Sequence, residues 1–375
     1  MKAINKYFLS VILVGAMGCQ SPKPDASKSS VVTRDTTFNK LFHQDSVGLT
    51  GADGTISVPM PDGSSVFMMG DSFLGKVVDN KRDTSTKMIH NTFVVVNPTQ
   101  RSTRTLFQGT YQDPESFVIP KDDPGKFYWP GNGFVRDSVF HFFASRFYMS
   151  GKGMWGFEFV NTDYFRYSWP DFKPLSVEPF KFTSINHVHW GHAILDAGKY
   201  IYLYGCKPDS NKVSKAFACR THVDDSKSLD LNDVEFFDGH GWSKNPMSVK
   251  PMQGTTSQIS EQFSVFHYKD KYILLSQDRG IGTGEIFTYT SNTPVGPWGN
   301  KQLIYKAKES DSDKDIITYN AMAHPQYISN GKLLVSYNVN SLKISKVFEN
   351  VNNYRPRFIR VPMVKIMGKS KEQQN

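Results

Sequence analysis

Five stretches of the chain repeat one pattern: polar or glycine-bearing leading residues, an apolar strand, a turn, a stronger apolar strand and a polar exit. The first is GADGTISVPMPDGSSVFMMGDSFLG, Gly51 to Gly75. Thr55 to Pro59 alternates and is rich in β-formers, Pro61-Asp62-Gly63-Ser64 is a turn cluster, and Val66 to Met69 is a second apolar run. Folding this hairpin about Asp62 sets Asp53 roughly opposite Asp71 at its open end. The second copy is Phe127 to Phe147, turning at Arg136-Asp137. The third is His187 to Lys207, turning at Asp196-Ala197-Gly198. The fourth is Ser260 to Gly280, turning at Lys269-Asp270-Lys271, and the fifth is Tyr319 to Asn340, turning at Ser329-Asn330-Gly331. A third strand follows most copies: Asn91 to Val96, Trp155 to Asn161, Ala216 to His222 and Glu285 to Tyr289. A fourth is suggested at Arg104 to Gln108.

Units recurring roughly every 60 to 76 residues, each with three or four strands, predict an all-β chain. The expected architecture is a five-bladed β-propeller with four-stranded antiparallel blades, one domain over residues 39–368. Two β-sandwich domains are the structural alternative, disfavoured because the repeats run evenly with no linker between halves. No amphipathic helix of three turns stands out.

In a propeller, the leading residues of each first strand and the exit residues of each second strand gather at one face of the central channel. That rule collects a candidate site from five distant segments. Asp53, Asp71 and Glu261 are the candidate catalytic residues. Candidate substrate contacts are His90, Asn91, Trp129, Asn132, His189, Trp190, His192, Gln262, Asn320, His324 and Asn338. Carboxylates, amides, imidazoles and aromatic faces are the mix used on sugars. Glycoside hydrolysis needs two carboxyl groups flanking the scissile bond. Two close aspartates cannot both ionise easily, so one pKa rises, as a proton donor requires. Taken alone, Asp53 before Gly54 reads as a turn residue and Asp71 as a strand cap; their opposition in one hairpin is what makes them a pair.

His187 and His189 alternate on one strand, and with His192 they suggest a metal. No carboxylate or cysteine completes the local spacing, so no metal site is expected and the histidines read as substrate contacts; a structural ion in the channel is compatible with the fold. There is no nucleophile elbow and no glycine loop opening a helix. No cofactor is expected.

The N-terminus reads as a targeting segment. Lys2 and Lys6 precede an apolar run, Phe8 to Val14, and Ala16-Met17-Gly18-Cys19 resembles a bacterial lipobox with Cys19 as the lipidated residue. Residues 1–19 are the expected signal peptide and 20–38 a tether, Ser/Pro/Lys-rich through Ser30. This implies a lipid-anchored protein of the bacterial cell envelope, touching the membrane only through its anchor. Of three cysteines, Cys206 and Cys219 remain, flanking a strand–loop–strand as a disulfide or as two free thiols. The net charge of +9 comes from scattered Lys and Arg without a dense basic run, so no nucleic-acid partner is expected, and the protein reads as a monomer.

The first hairpin, with HNTFVVVNP at His90 to Pro98, resembles the signature of a group of secreted bacterial five-bladed propellers. HWGHAIL with YIYLYG, SEQFSVF, NTPVGPW, and SYNVN with YRPRF also fit, so the resemblance covers about residues 40–365. The group includes glycoside hydrolases, notably endo-acting D-arabinofuranosidases. The resemblance implies acidic catalytic residues at the channel mouth, with Asp53 and Asp71 at the group's D-G and G-D positions. Ser72 in place of the commoner Thr, and Phe67-Met68-Met69 in place of a Trp-bearing strand, bear on specificity more than on fold.

The expected function is therefore hydrolysis of a polysaccharide, a furanose-containing one such as D-arabinan. The alternative is a non-catalytic glycan-binding lipoprotein of an uptake system. A sialidase-like propeller needs an arginine cluster; only Arg146 and Arg279 fall at channel positions.

Overall fold

The computed structural model describes residues 31–368, apart from 47, 98, 152, 154, 224–227 and 281. The signal peptide, Cys19 and the tether through residue 30 lie outside the described residues. No helix among the described residues is long and apolar enough to cross a membrane.

The chain is all-β. Among the described residues its strands form five antiparallel sheets of four or five strands in chain order, beside a three-stranded sheet of Leu49–Ala52, Ser72–Leu74 and Met88–Ile89 and two two-stranded ribbons. The first sheet holds Ile56–Pro59, Ser65–Met69, Thr92–Asn97 and Ser102–Leu106. The second holds Lys126–Arg136, Val139–Met149, Phe157–Ser168 and Pro174–Pro179. The third starts with His189–Asp196, Tyr200–Pro208 and Ser214–His222, and adds Glu235–Phe237 and Trp242–Ser243. It therefore has five strands where four were expected. The fourth holds Ser264–Tyr268, Lys271–Gln277, Glu285–Ser291 and Gly299–Lys306. The fifth joins Ile316–Ser329, Lys332–Ser341 and Arg357–Pro362 to Thr33–Arg34 from the other end of the chain.

That last strand corrects the expected tether boundary. Thr33 pairs with Arg360 and Arg34 with Ile359, so the chain enters the fold before residue 39. The helix Thr36–Phe42 follows at once, capped by Asp35, whose Oδ1 accepts the Phe38 N–H at 2.8 Å. Asp35 Oδ2 also accepts Arg360 Nε–H at 2.6 Å, beside the strand that closes the sheet. Phe38, Leu41 and Phe42 are buried against Phe67 and Phe358.

The sequence explains why the sheets sit side by side. Neighbouring residues of a strand face opposite sides, and here both sides are apolar. Phe142 joins a core shared by the first two sheets, while Phe143 joins the core of the second and third. Tyr204 and Leu203 divide likewise between the next two cores. Further cores lie between the fourth and fifth sheets and between the fifth and first. Five of the six cores among the described residues thus lie between successive large sheets, which two separate sandwiches would not give. The first strand of each sheet lies against that of the next, and the fifth sheet's first strand also touches the first sheet's. Those five strands line one cavity of about 280 Å³.

The turns form near where the sequence places them. Asn330 and Gly331 adopt φ of 48° and 68°, and Asp137 and Ser138 adopt 48° and 62°, the left-handed pairs that two-residue hairpins need. The cysteines do not oppose each other. Cys206 pairs with Ala216 and Cys219 with Leu203; both are free, and they belong to different cores.

Asp35 tests the closure. Asp35→Ala removes a helix cap and strands the partly buried Arg360, and should cost about 3 kcal/mol. Asp35→Asn keeps a capping oxygen and should cost clearly less. Urea titrations of both variants check the order; equal losses would mean that the capping bond contributes nothing and the lost ion pair accounts for the whole effect.

Candidate active site

Asp53 and Asp71 sit at a break in a longer ladder rather than at an open hairpin end. Ile56 pairs with Met68 and, beyond the break, Ala52 pairs with Ser72. Between them Gly54 and Thr55 turn to φ of 88° and 54°. The Asp53 N–H donates to the Asp71 carbonyl at 3.3 Å, and the Gly70 N–H to the Asp53 carbonyl at 2.9 Å. A Cβ on Gly70 would collide with Asp53 Oδ1, so glycine is what lets this carboxyl lie across the backbone.

Each carboxyl has its own donors. The Tyr319 hydroxyl donates to Asp53 Oδ2 at 2.6 Å. On Asp71, Trp129 Nε1–H donates to Oδ1 at 2.8 Å and His90 Nδ1 lies 3.0 Å from the same oxygen. Both contacts fall on Oδ1. Burial, followed by the Asp71 charge, pushes the Asp53 carboxyl up to about 7, although the Tyr319 and Tyr354 hydroxyls pull the other way.

These residues line a cleft of about 720 Å³ that receives side chains from all five sheets, a volume ordinary for a ligand site. Glu261 stands in the segment leading into the fourth sheet. Ser260 anchors that segment, its N–H donating to Ser276 Oγ at 2.9 Å and its hydroxyl to Asn320 Oδ1 at 2.5 Å. Gln262 bridges sheets, accepting from Asn320 Nδ2 at 3.2 Å and donating to the Pro130 carbonyl at 3.5 Å. Burial raises the Glu261 pKa, but His189, His192 and Arg279 outweigh it and hold the carboxyl well below the usual range. Arg279 pairs with Oε1; His189 Nδ1 lies 3.5 Å and His192 Nε2 3.9 Å from Oε2. These three ligand atoms lie within 4.8 Å of one another, so tertiary structure supplies the carboxylate that the local spacing lacks.

Eight sequence candidates line the cleft: Asp53, Asp71, Trp129, His189, His192, Glu261, Gln262 and Asn320. His90 reaches the site only through Asp71, its ring stacked on Phe127 at 3.8 Å. The others are corrected by their bonding. Asn91 is buried, tying the Val118 and Tyr128 carbonyls and the Val118 N–H. Trp190 is buried in a core and donates to Asn186. His324 is buried between Ser57 and Ser336, and burial holds its pKa down to about 3. Asn338 is buried, accepting from Thr55 at 2.8 Å. Asn132 lines the cavity between the first strands instead, bonded to the neighbouring Gly133 N–H. His187 is exposed at a helix end, away from the other two histidines. Arg146 is consumed by Asp163, Tyr128 and Asp122, which removes half of any arginine cluster.

The sequence reading missed an aromatic wall. Trp155, Phe157, Phe159 and Phe147 line the cleft beside Trp129. Trp129 lies 4.6 Å from Phe157, ring centre to ring centre, and Trp155 is 56 % exposed. The alternation Trp155-x-Phe157-x-Phe159, running into the start of the third strand, was the available signal. Ser145 and Tyr354 were also missed.

With fold and site defined, the comparisons place the chain. A family profile described as "Domain of unknown function (DUF5005)" matches residues 35–366, and the chain belongs to that family. No curated protein matches it. A crystal structure described as a "putative hydrolase" from Bacteroides ovatus shares 18% identity over 92% of this chain and 97% of that one, with a TM-score of 0.73; the two share a fold. The GH43_1 enzyme from Xanthomonas citri, complexed with xylotriose, is 11% identical over 89% and 91% of the chains at a TM-score of 0.49. An alpha-L-arabinofuranosidase from Podospora anserina, complexed with cellotriose, is 12% identical over 85% and 92% at 0.44.

The Asp53 environment has a readout independent of activity. The folded chain holds that proton between pH 3.8 and about 7, where the unfolded chain releases it. Wild-type stability therefore falls as pH rises through this window. Asp53→Asn does not titrate, so its melting temperature minus that of wild type should grow from pH 4 to 7. A flat difference would show that Asp53 ionises normally.

Proposed function

We propose that the five sheets are the blades of a five-bladed β-propeller whose cleft hydrolyses glycosidic bonds in a polysaccharide, with a furanose-containing polymer such as D-arabinan as first candidate. The observation that carries this reading is a pair of partly buried aspartates at one ladder break, lining an aromatic-walled cleft, with burial and the Asp71 charge pushing the Asp53 carboxyl up to about 7. A protonated carboxyl can donate to the leaving oxygen, and its partner can attack the anomeric carbon or activate water.

The roles follow from the surroundings. Asp53 is the proton donor. Asp71, oriented through Oδ1 by Trp129 and His90, is the carboxylate partner and has Oδ2 for the reacting centre. Glu261 is held too acidic to donate a proton and orients substrate. Trp155 and Phe157 offer flat apolar faces to a sugar ring. Gln262 and Asn320 supply hydroxyl partners. The same exposed Trp155 favours the second reading, a glycan-capturing lipoprotein without catalysis. In both readings Cys19 carries a lipid anchor in the bacterial envelope; Cys19→Ser should move the protein out of the membrane fraction.

Release of oligosaccharides from D-arabinan, L-arabinan, fructan and host glycans decides between the readings. One polymer should be cut, with kcat/KM falling as pH rises above about 7, where Asp53 loses its proton. Asp71→Asn should lower kcat at least 1000-fold, on the order of the loss when a principal catalytic group is removed, with folding intact. Retention of a polymer without cleavage by both proteins would select the capture reading.

A further inference from the structure

The aspartate pair leaves one part of the cleft chemically unexplained. His192 is 4 % exposed, and neither ring nitrogen has a hydrogen-bond partner. A buried imidazole without partners is costly.

The backbone is built to aim it. Residues three apart on a regular strand face opposite sides, which would separate His189 from His192. The register between the first two strands of the third sheet shifts between Trp190 and Ala193. Gly191 takes φ of 91° there, and a Cβ on it would lie 2.7 Å from Phe143 Cβ. This bulge turns the two imidazoles together, 4.1 Å between ring centres. His189 Nε2 lies 2.6 Å from Ser145 Oγ. With that nitrogen donating its proton, Nδ1 is left as the free lone pair, the usual outer bond of a metal-binding histidine. Arg279 holds Glu261 by Oε1 and leaves Oε2 toward both rings.

We infer that His189 Nδ1, His192 Nε2 and Glu261 Oε2 bind a divalent transition-metal ion, zinc foremost, with an open position toward the cleft. Two imidazoles and one carboxylate form a borderline donor set suited to zinc and its neighbours rather than to calcium or magnesium. Metal–ligand bonds of about 2.0–2.2 Å put tetrahedral ligands about 3.3–3.5 Å apart. The 3.5 and 3.9 Å separations approach that spacing. Cys206, paired across the strand from His189, donates its thiol to Glu261 Oε2 at 3.2 Å and orients that oxygen from behind. The open position would take water or a ligand oxygen. This site stands whether or not the cleft hydrolyses a glycan.

The test uses the full chain, stripped with chelator, then titrated with Zn²⁺ alone and dialysed. Metal analysis should give one zinc per chain, with a rise in melting temperature; Co²⁺ should give the absorption of a low-coordinate site. His192→Gln and Glu261→Gln should each abolish retention of the equivalent and the thermal shift. His187→Gln, at an exposed neighbouring position, should keep both. Ser145→Ala touches no ligand atom proposed for the metal and should weaken binding about 10–100-fold, the effect of losing an outer-shell partner. Glu261 is 40 % exposed, so its variant is the one least exposed to a folding defect. No retained equivalent in wild type, or one retained equally by the Glu261 and His192 variants, would overturn the assignment.

Discussion

Each sheet carries apolar side chains on both faces, and the whole arrangement depends on this. A sheet with one wet face can end a stack; a sheet buried on both sides needs a neighbour on each. Five such sheets in succession leave two uncovered faces, on the first and the fifth, and these cover each other through Phe67, Met69, Leu334 and Phe358. The N-terminal residues complete that join. Thr33–Arg34 adds the outer strand of the fifth sheet, and the next helix plugs the seam with Phe38 and Phe42. Chain ends distant in sequence are thereby fixed to each other, and the Asp35–Arg360 pair lies where they meet.

The same succession explains why one end can hold a site. The first strands converge, and three of them are interrupted there: between Pro130 and Gly133, between Trp190 and Ala193, and between Tyr319 and Met322. In the first sheet the ladder breaks at Gly54–Thr55. Bulges release residues from regular pairing and re-aim side chains. The residues beside these interruptions, Asp53, Trp129, His189, His192, Tyr319 and Asn320, all line the cleft. Strain-tolerant glycines accompany the most crowded of them: Gly70 under the Asp53 carboxyl and Gly191 against Phe143.

Much of this was legible because hairpins are local. Turn chemistry at Asn330-Gly331, the paired apolar runs and the register of Asp53 with Asp71 are all encoded within about twenty residues. What was not legible depends on faces and bulges. Asn91, Asn338 and His324 have the residue types of a sugar site and lie near its channel end, yet each spends its polar atoms on buried partners from other segments. Trp190, a candidate substrate contact by position, is core, because the bulge after it sends His192 into the cleft in its place. The three histidines have no carboxylate or cysteine at local metal-ligand spacing, and Glu261 arrives from 69 positions beyond His192, a separation no spacing rule reaches.

The cleft thus contains two electrostatic environments of opposite sense. On one side, burial and a like charge make a carboxyl hold its proton. On the other, two imidazoles and a guanidinium make a carboxyl give its proton up. The two environments are built from different residues, and only the first belongs to the aspartate pair. The pairing of Trp129 with Asp71 ties the aromatic wall to the acid pair: a ring that packs against Phe157 also fixes the carboxylate, so displacement of the wall by a bound ligand would be felt directly at Oδ1.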